Sequence, residues 1–258
     1  MRLMQKTLGA VAALALSVSL LAGCGSTAGS AAASSSAAGS TAVSAVSEAA
    51  SSEAADENEA AAAQLMKDLT GSYQELWPVI LADEHTQTWL DDCTALVGED
   101  NAEGAYEKLS SMVTGDVYGE DAVKAYANGG GAYFCGFTQG LATLTFDGEN
   151  SVISGTDKDG STLFSHSYHY IGMEPVRGLY EFKSDDADSG EFTYFFLAPD
   201  TSAETYHIEF RYGSDADALG QYDAGDYAYW LASGISTDCD QTMIDNCIQL
   251  FCTENLAG

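Results

Sequence analysis

The sequence predicts an α+β protein, mainly β, in which an antiparallel barrel or sandwich lies between N-terminal helices and a C-terminal helix. About seven short stretches between residues 133 and 212 alternate apolar and polar side chains, which is the period of half-buried strands. Segments with helical periodicity precede and follow them. With 14 tyrosines and only 3 prolines in 258 residues, the composition favours an ordered body with a sizeable core.

The N-terminus has the order of parts of an export signal. Residues 1–6 carry only positive charges, an apolar run occupies residues 7–22, and Cys24 follows Gly23. The run has the length of a signal-peptide core and is short for a transmembrane helix. The tract resembles the lipobox of bacterial lipoproteins, which implies a signal peptide over 1–23 and a lipid on Cys24. We therefore expect an extracytoplasmic protein anchored by lipid to the bacterial cell membrane; an ordinary secretory signal that contains a cysteine is the alternative.

The rest of the chain divides into a linker and a folded domain. Residues 24–60 are predicted to be a linker, because the Ser and Ala that dominate it cannot form a packed core. The domain is predicted over residues 61–258. Helical patterns lie at residues 53–69, 79–96, 102–112, 121–127 and 238–254. The first of them overlaps the end of the linker. Gly98 is expected to end the second of them as a C-cap.

The predicted strands follow the triple glycine at residues 129–131. Asp147-Gly148 is typical of a hairpin turn, and Lys158-Asp159-Gly160 of a second turn. The strands are expected at residues 133–137, 141–146, 151–155, 161–170, 176–183, 192–197 and 205–212.

The charge excludes some classes of partner. Lys and Arg number 9 and Asp and Glu 39, which gives a formal net charge of -30. Nucleic acid and an anionic lipid surface are therefore disfavoured, because both are bound through basic side chains. The sequence contains no nucleophile elbow, P-loop or H-E-x-x-H pattern, so we expect a binding protein and not an enzyme.

Five cysteines remain after Cys24, and their pairing is left open by the sequence. The odd number leaves at least one thiol unpaired, and no C-x-x-C spacing indicates a zinc ribbon or a thioredoxin-like site. Buried thiols are an equal alternative to disulfides. The five are Cys93, Cys135, Cys239, Cys247 and Cys252.

The candidate metal ligands are histidines and one carboxylate. His207 and Glu209 alternate along one predicted strand, so they share a face and supply two donors suited to zinc. A solvated polar face is the alternative. His166 and His169 are three residues apart, so in a strand they point to opposite faces and at most one completes the site. His85 is expected to be exposed on a helix.

Residues 178–183, the Leu197-Ala198-Pro199 tract and residues 207–215 together resemble the ZinT (YodA) family, and residues 69–78 resemble its opening tract. The resemblance implies a lipocalin-like, calycin-type barrel with attached helices. It also implies binding of zinc or another divalent metal outside the cytoplasm. Members of the family occur fused to zinc-transporter binding lipoproteins, so a metal ABC-transporter system is an expected partner.

The resemblance also locates the departures from the family's metal site. The family has a histidine shortly before the Ala-Pro, where this chain has Phe195, and an H-x-H pair on the next strand, where it has His207-Ile208-Glu209. We expect His166 or His169 to supply a third donor at the barrel mouth. The expected function is capture of a divalent metal, zinc first, or its delivery to uptake. The alternative is a non-metal calycin module that binds a small apolar ligand or an envelope protein.

Overall fold

A closed barrel of eight antiparallel strands forms the centre of the fold. The computed structural model describes residues 57–199 and 207–257, so the predicted signal peptide, Cys24 and most of the predicted linker lie outside the described residues. Each strand pairs with the next one along the chain, and the last pairs with the first. The strands are β1 (Gly71–Glu75), β2 (Thr143–Asp147), β3 (Val152–Thr156), β4 (Thr162–Met173), β5 (Tyr180–Ser184), β6 (Tyr194–Leu197), β7 (His207–Gly213) and β8 (Ala232–Ser236).

Aromatic side chains fill the interior of the barrel. Phe195, Phe210 and Tyr212 are at most 1% exposed, and their ring centroids lie 5.3–6.3 Å apart. Gly155 on β3 leaves space for this packing, because a Cβ atom there would collide with the ring of Phe164. An eight-stranded barrel of this size is filled by its own side chains. The predicted antiparallel, lipocalin-like barrel, with helices before and after it in the sequence, is therefore confirmed.

Helices form a second layer on the outside of the barrel. Four of them, together with Ile235 of β8, build an apolar cluster separate from the barrel interior. Trp89 is fully buried in this cluster and donates its indole N–H to the carbonyl oxygen of Ile80 at 2.7 Å. The helices are α1 (57–68), α2 (Leu76–Ile80), α3 (Thr86–Val97), α4 (Glu99–Ser111), α5 (Glu120–Ala127), α6 (Ala216–Leu219) and α7 (Gln241–Leu256), of which α2, α3, α4 and α7 form the cluster.

Two strands were not predicted, and one predicted strand is absent. β1 and β8 pair with each other and close the barrel. Residues 133–137 form no regular strand; Phe134 makes only isolated bridges to Thr114 and Trp230. That segment instead runs beside residues 229–233, where Trp230 donates its indole N–H to the carbonyl oxygen of Gly136 at 2.9 Å.

The helical predictions are mostly confirmed, with shifted ends. The predicted helix over residues 79–96 is interrupted, since α2 ends at Ile80 and a 3-10 turn over Asp83–His85 precedes α3. Gly98 separates α3 from α4 in a left-handed conformation with φ 84°, as its capping role predicts. In the described ranges no helix combines the length and the apolar character that a bilayer-spanning segment needs.

Candidate metal centre

His207 and Glu209 lie on the outer face of the barrel wall. Their neighbours Ile208 and Phe210 point into the barrel core, and successive side chains of a strand point to opposite faces. His207 is paired with Ile235 across β7 and β8, and Ile235 belongs to the outer helical cluster. The predicted pair therefore shares one face, as expected, but this face is covered by helices and is not the barrel mouth.

α7 and α2 cover this face of β7 and leave a small cavity of about 30 Å³. The residues of α7 in its wall are Cys247, Leu250, Phe251 and Glu254, which follow the spacing of one helix face. α2 contributes Leu76, Trp77 and Ile80. The cavity is thus bounded by one polar pair from a strand, two donor side chains from a helix, and apolar side chains around them.

The cavity wall contains four side chains of types that ligate metals. His207 supplies a ring nitrogen, Glu209 and Glu254 supply carboxylate oxygens, and Cys247 supplies a sulfur. Burial raises the pKa of Cys247 to about 12, so its thiol is protonated at neutral pH. Among the described residues, no three His, Cys, Asp or Glu side chains form a group that could hold a metal ion as they stand.

Glu209 also acts on a neighbouring thiol. Cys135 is 7% exposed and lies in the outer cluster behind β8, where its carbonyl oxygen accepts from the backbone N–H of Ser233 at 3.0 Å. Burial first, and then the negative charge of Glu209, raise the pKa of Cys135 to about 12. The region under α7 is therefore apolar enough to keep two thiols neutral while a carboxylate is close by.

His166 and His169 lie on β4 and are not brought to His207 and Glu209. Three strand spacings separate β4 from β7 along the wall, about 14 Å. His166 Nδ1 lies 2.9 Å from Asp186 Oδ2, and His169 Nδ1 lies 2.7 Å from Asp185 Oδ1. The expected third donor from this strand is therefore absent from the β7 site.

The two β4 histidines do point to opposite faces, as their spacing predicts. His166 shares the parity of the buried Phe164, against which its ring stacks at 5.9 Å, and its side chain is 13% exposed. The His169 side chain is 50% exposed. Each is held by one acidic residue of the β5–β6 connection.

The structure contradicts the expected exposure of His85 and agrees with the expectation that Phe195 provides no metal ligand. His85 was expected to be exposed but is 6% exposed, because it lies where the 3-10 turn meets α7, with Nδ1 3.3 Å from Gln241 Nε2. Phe195 has no exposed surface and packs in the barrel core, so this position supplies no metal donor.

Cys247 and Glu254 were missed as candidate ligands. They are seven residues apart, which is two turns of a helix and hence one face. This spacing was readable in the sequence, but nothing in it indicates that this face would lie on His207 and Glu209. Only the closure of the barrel through β8, which places the start of α7 beside β7, brings them together.

A second, larger cavity lies at one end of the barrel, beside the residues that follow β7. Its volume is about 440 Å³, and its walls are mostly polar. Glu191 is fixed there by two hydrogen bonds, from the hydroxyl of Ser214 at 2.9 Å and from the hydroxyl of Tyr227 at 3.0 Å. Tyr118, Asp215 and Asp226 also line this cavity.

Comparison with solved structures returns zinc-bound proteins of similar fold. The Zn(II)-bound ZinT-like domain of Streptococcus pneumoniae AdcA is 12% identical, with a TM-score of 0.43, over 71% of this chain and 87% of that chain. Zn(II)-bound AdcA from Streptococcus pneumoniae is 11% identical, with a TM-score of 0.41, over 71% of this chain and 34% of that one. No protein-family model matches the chain, and no curated protein matches it.

Proposed function

We propose that this protein binds a divalent metal ion, zinc in the first place, in the cavity between β7 and α7. The observation that supports the proposal is the meeting of His207 and Glu209 with Cys247 and Glu254 around one small cavity. Nitrogen, sulfur and carboxylate oxygen are the donors that proteins use for zinc. With two carboxylates in the set, manganese and other harder divalent ions are competitors.

The side chains of α7 have to adjust for binding. Zinc bonds to nitrogen and oxygen are about 2.0–2.2 Å long and those to sulfur about 2.3 Å, so the donors must converge further than they do now. Glu254 is exposed, and we expect its side chain to turn toward His207 when the metal binds. Coordination by Cys247 releases the proton of its thiol, so the affinity for zinc is expected to rise with pH.

The cellular role in this proposal is capture or delivery of the metal outside the cytoplasm. The acidic surface draws cations toward the protein, with a formal net charge of -30. A lipid on Cys24 would hold the domain at the membrane, where a metal ABC transporter would receive the ion. The role is one of binding, with no catalytic step.

The alternative, an apolar ligand inside the barrel, has less support. Phe195, Phe210 and Tyr212 occupy the interior, and the larger cavity of about 440 Å³ lies at the barrel end and is lined largely by polar groups. Apolar ligands bind in concave sites lined mainly by apolar side chains.

Titration calorimetry of the metal-free protein with zinc chloride tests the proposal. We expect one site per chain, and His207→Ala should weaken binding at least about tenfold, which corresponds to about 1.4 kcal/mol. His169→Ala is the matched control, since it removes an imidazole that lies on β4 and pairs with Asp185. Absence of zinc binding by the wild-type protein, or an equal loss in both variants, would refute the assignment.

A further inference from the structure

A pair of buried thiols joins α3 to α7. Cys93 on α3 and Cys252 on α7 have no exposed surface, and their Sγ atoms lie 3.9 Å apart. The two helices pack directly against each other in the outer cluster, with Trp89 and Ile248 also buried in it.

The geometry suits a covalent bond. A disulfide needs an S–S distance of about 2.05 Å and Cα atoms about 4.4–6.8 Å apart. The gap of 3.9 Å between the two sulfurs has to close to this bond length, and the helices that carry them already pack against each other. We propose that Cys93 and Cys252 form a disulfide when the protein folds in an oxidising environment, and that this bond ties α7 to the helical layer.

The oxidant in this step is a second disulfide, either of a small thiol or of a thiol–disulfide oxidoreductase. One cysteine, as thiolate, attacks that disulfide and expels one thiol, which forms a mixed disulfide. The second cysteine then attacks the protein sulfur of the mixed disulfide and expels the other thiol. Two protein thiols are oxidised, one disulfide is reduced to two thiols, and the two protons go to the leaving sulfurs.

The burial of the two thiols determines at which stage of folding the disulfide can form. Neither Cys93 nor Cys252 has exposed surface, so an external disulfide cannot reach the folded dithiol. Exchange requires access of one sulfur to the other, so the folded dithiol is slow to react. Oxidation therefore has to precede or accompany the packing of α7, and the finished bond is shielded from external reductants.

The bond would constrain most of the domain. The two cysteines are 159 residues apart, and the barrel strands β2 to β8 lie between them. A disulfide that closes a loop of this length restricts the unfolded chain strongly, and we expect the thermal midpoint to rise by about 5–10 °C. α7 also carries Cys247 and Glu254, so the bond would hold one wall of the candidate metal cavity in place.

Peptide mapping tests the pairing directly. The purified protein is refolded from denaturant in a buffer of oxidised and reduced glutathione, blocked with an alkylating reagent under denaturing conditions, and digested without reduction. We expect one cross-linked peptide pair that contains Cys93 and Cys252, while Cys135, Cys239 and Cys247 are alkylated. Alkylation of both Cys93 and Cys252, or a different pair such as Cys239 with Cys247, would overturn the proposal.

A thermal measurement with variants gives a second readout. Reductant present during refolding should lower the midpoint of the wild-type protein by the same 5–10 °C, whereas Cys93→Ser should lose this dependence. Cys239→Ser is the matched control, because Cys239 is partly exposed and precedes α7, and it should keep the full dependence on reductant. An equal response to reductant in wild type and Cys93→Ser would contradict the proposal, and the mapping of the wild-type protein does not depend on whether the variant folds.

Discussion

At the scale of single residues, Arg211 shows how this barrel holds a buried charge. Its side chain has no exposed surface, and it donates hydrogen bonds to the carbonyl oxygens of Leu219 and Tyr227 and, at 3.3 Å, of Gln221. The guanidinium carbon also lies 4.4 Å from the ring centroid of Tyr222. Burial lowers the pKa of Arg211, so the carbonyl dipoles and the ring must compensate for lost hydration.

The ring of Tyr222 also contacts a second guanidinium group. Arg177 lies 4.3 Å from the ring centroid, and the Tyr222 hydroxyl donates to Glu174 Oε2 at 3.2 Å. Glu174 is 1% exposed and accepts further from the backbone N–H groups of Val176 and Arg177. These contacts fix the segment between β7 and β8 against the barrel wall.

We expect Arg211→Lys to destabilise the protein by about 3 kcal/mol. Lysine keeps the charge but has one nitrogen on a flexible stem, so it cannot serve three carbonyl oxygens and a ring face at once. Denaturation with urea, followed by tryptophan fluorescence, measures the change. Lys183→Arg is the control, since Lys183 is exposed on β5, and the prediction is wrong if both variants unfold at the wild-type midpoint.

At the scale of elements, strands whose two faces differ clearly in polarity were predictable, whereas β1 and β8 were not. β2 and β3 alternate between apolar and polar side chains because one face packs in the barrel. β7 is covered on both faces, but its outer face carries the polar His207, Glu209 and Arg211, so its alternation still marks it as a strand. β8, with the sequence ASGIS, is covered by the core on one side and by helices on the other, so no alternation marks it. Its glycine, Gly234, lies where a Cβ atom would crowd Ile208 and Phe137.

The candidate site was predictable only in part for the same reason. The placement of His207 and Glu209 on one face is a local property of β7, and their spacing of two residues predicts it. The contribution of α7 depends on pairing between β7 and β8 and on the docking of α7, which are long-range features. The prediction of a third metal ligand from β4 was wrong, because the sequence does not show that β5 and β6 lie between β4 and β7.

The interface of α3 with α7 should be more stable in acid than at neutral pH. Burial, followed by the charges of Asp245 on α7 and Asp91, raises the pKa of Asp92. A carboxyl group with a raised folded-state pKa stabilises the fold below its unfolded pKa of about 4, and this contribution is lost as pH rises through the folded value. We therefore expect Asp92→Asn to increase the free energy of unfolding at pH 7.

The pH dependence distinguishes this effect from a general change in packing. The gain from Asp92→Asn should shrink as pH falls and vanish below about pH 4, where the wild-type carboxyl group is protonated. Urea titrations at several pH values measure this change in the free energy of unfolding. Asp100→Asn is the control, because Asp100 is an exposed residue of α4. A gain that is the same at every pH would contradict the explanation.

At the scale of the whole molecule, the acidic domain and the N-terminal tract have to be considered together. The domain has few basic side chains with which to hold an anionic membrane, since Lys and Arg number 9 in the whole chain against 39 acidic residues. If the protein is attached to the membrane, the proposed lipid on Cys24 is therefore the expected anchor. Export would also place the five other cysteines where disulfides form.

We expect Cys24→Ser to move the protein from the membrane fraction to the soluble fraction. Removal of the acyl anchor leaves an acidic domain that a membrane surface repels. Fractionation of cells and immunoblotting measure the distribution, and Cys239→Ser serves as the cysteine control. A Cys24→Ser protein that stays with the membrane would contradict lipid anchoring.

Anomalous X-ray diffraction tests the central claim most directly. Crystals soaked in zinc and measured on both sides of the zinc absorption edge would locate the ion without reference to affinity. We predict one anomalous peak between β7 and α7, about 2.0–2.3 Å from donor atoms of His207 and Glu209 and of Cys247 or Glu254. A peak at His166 and Asp186 instead, or no peak in the β7–α7 cavity of zinc-soaked crystals, would contradict it.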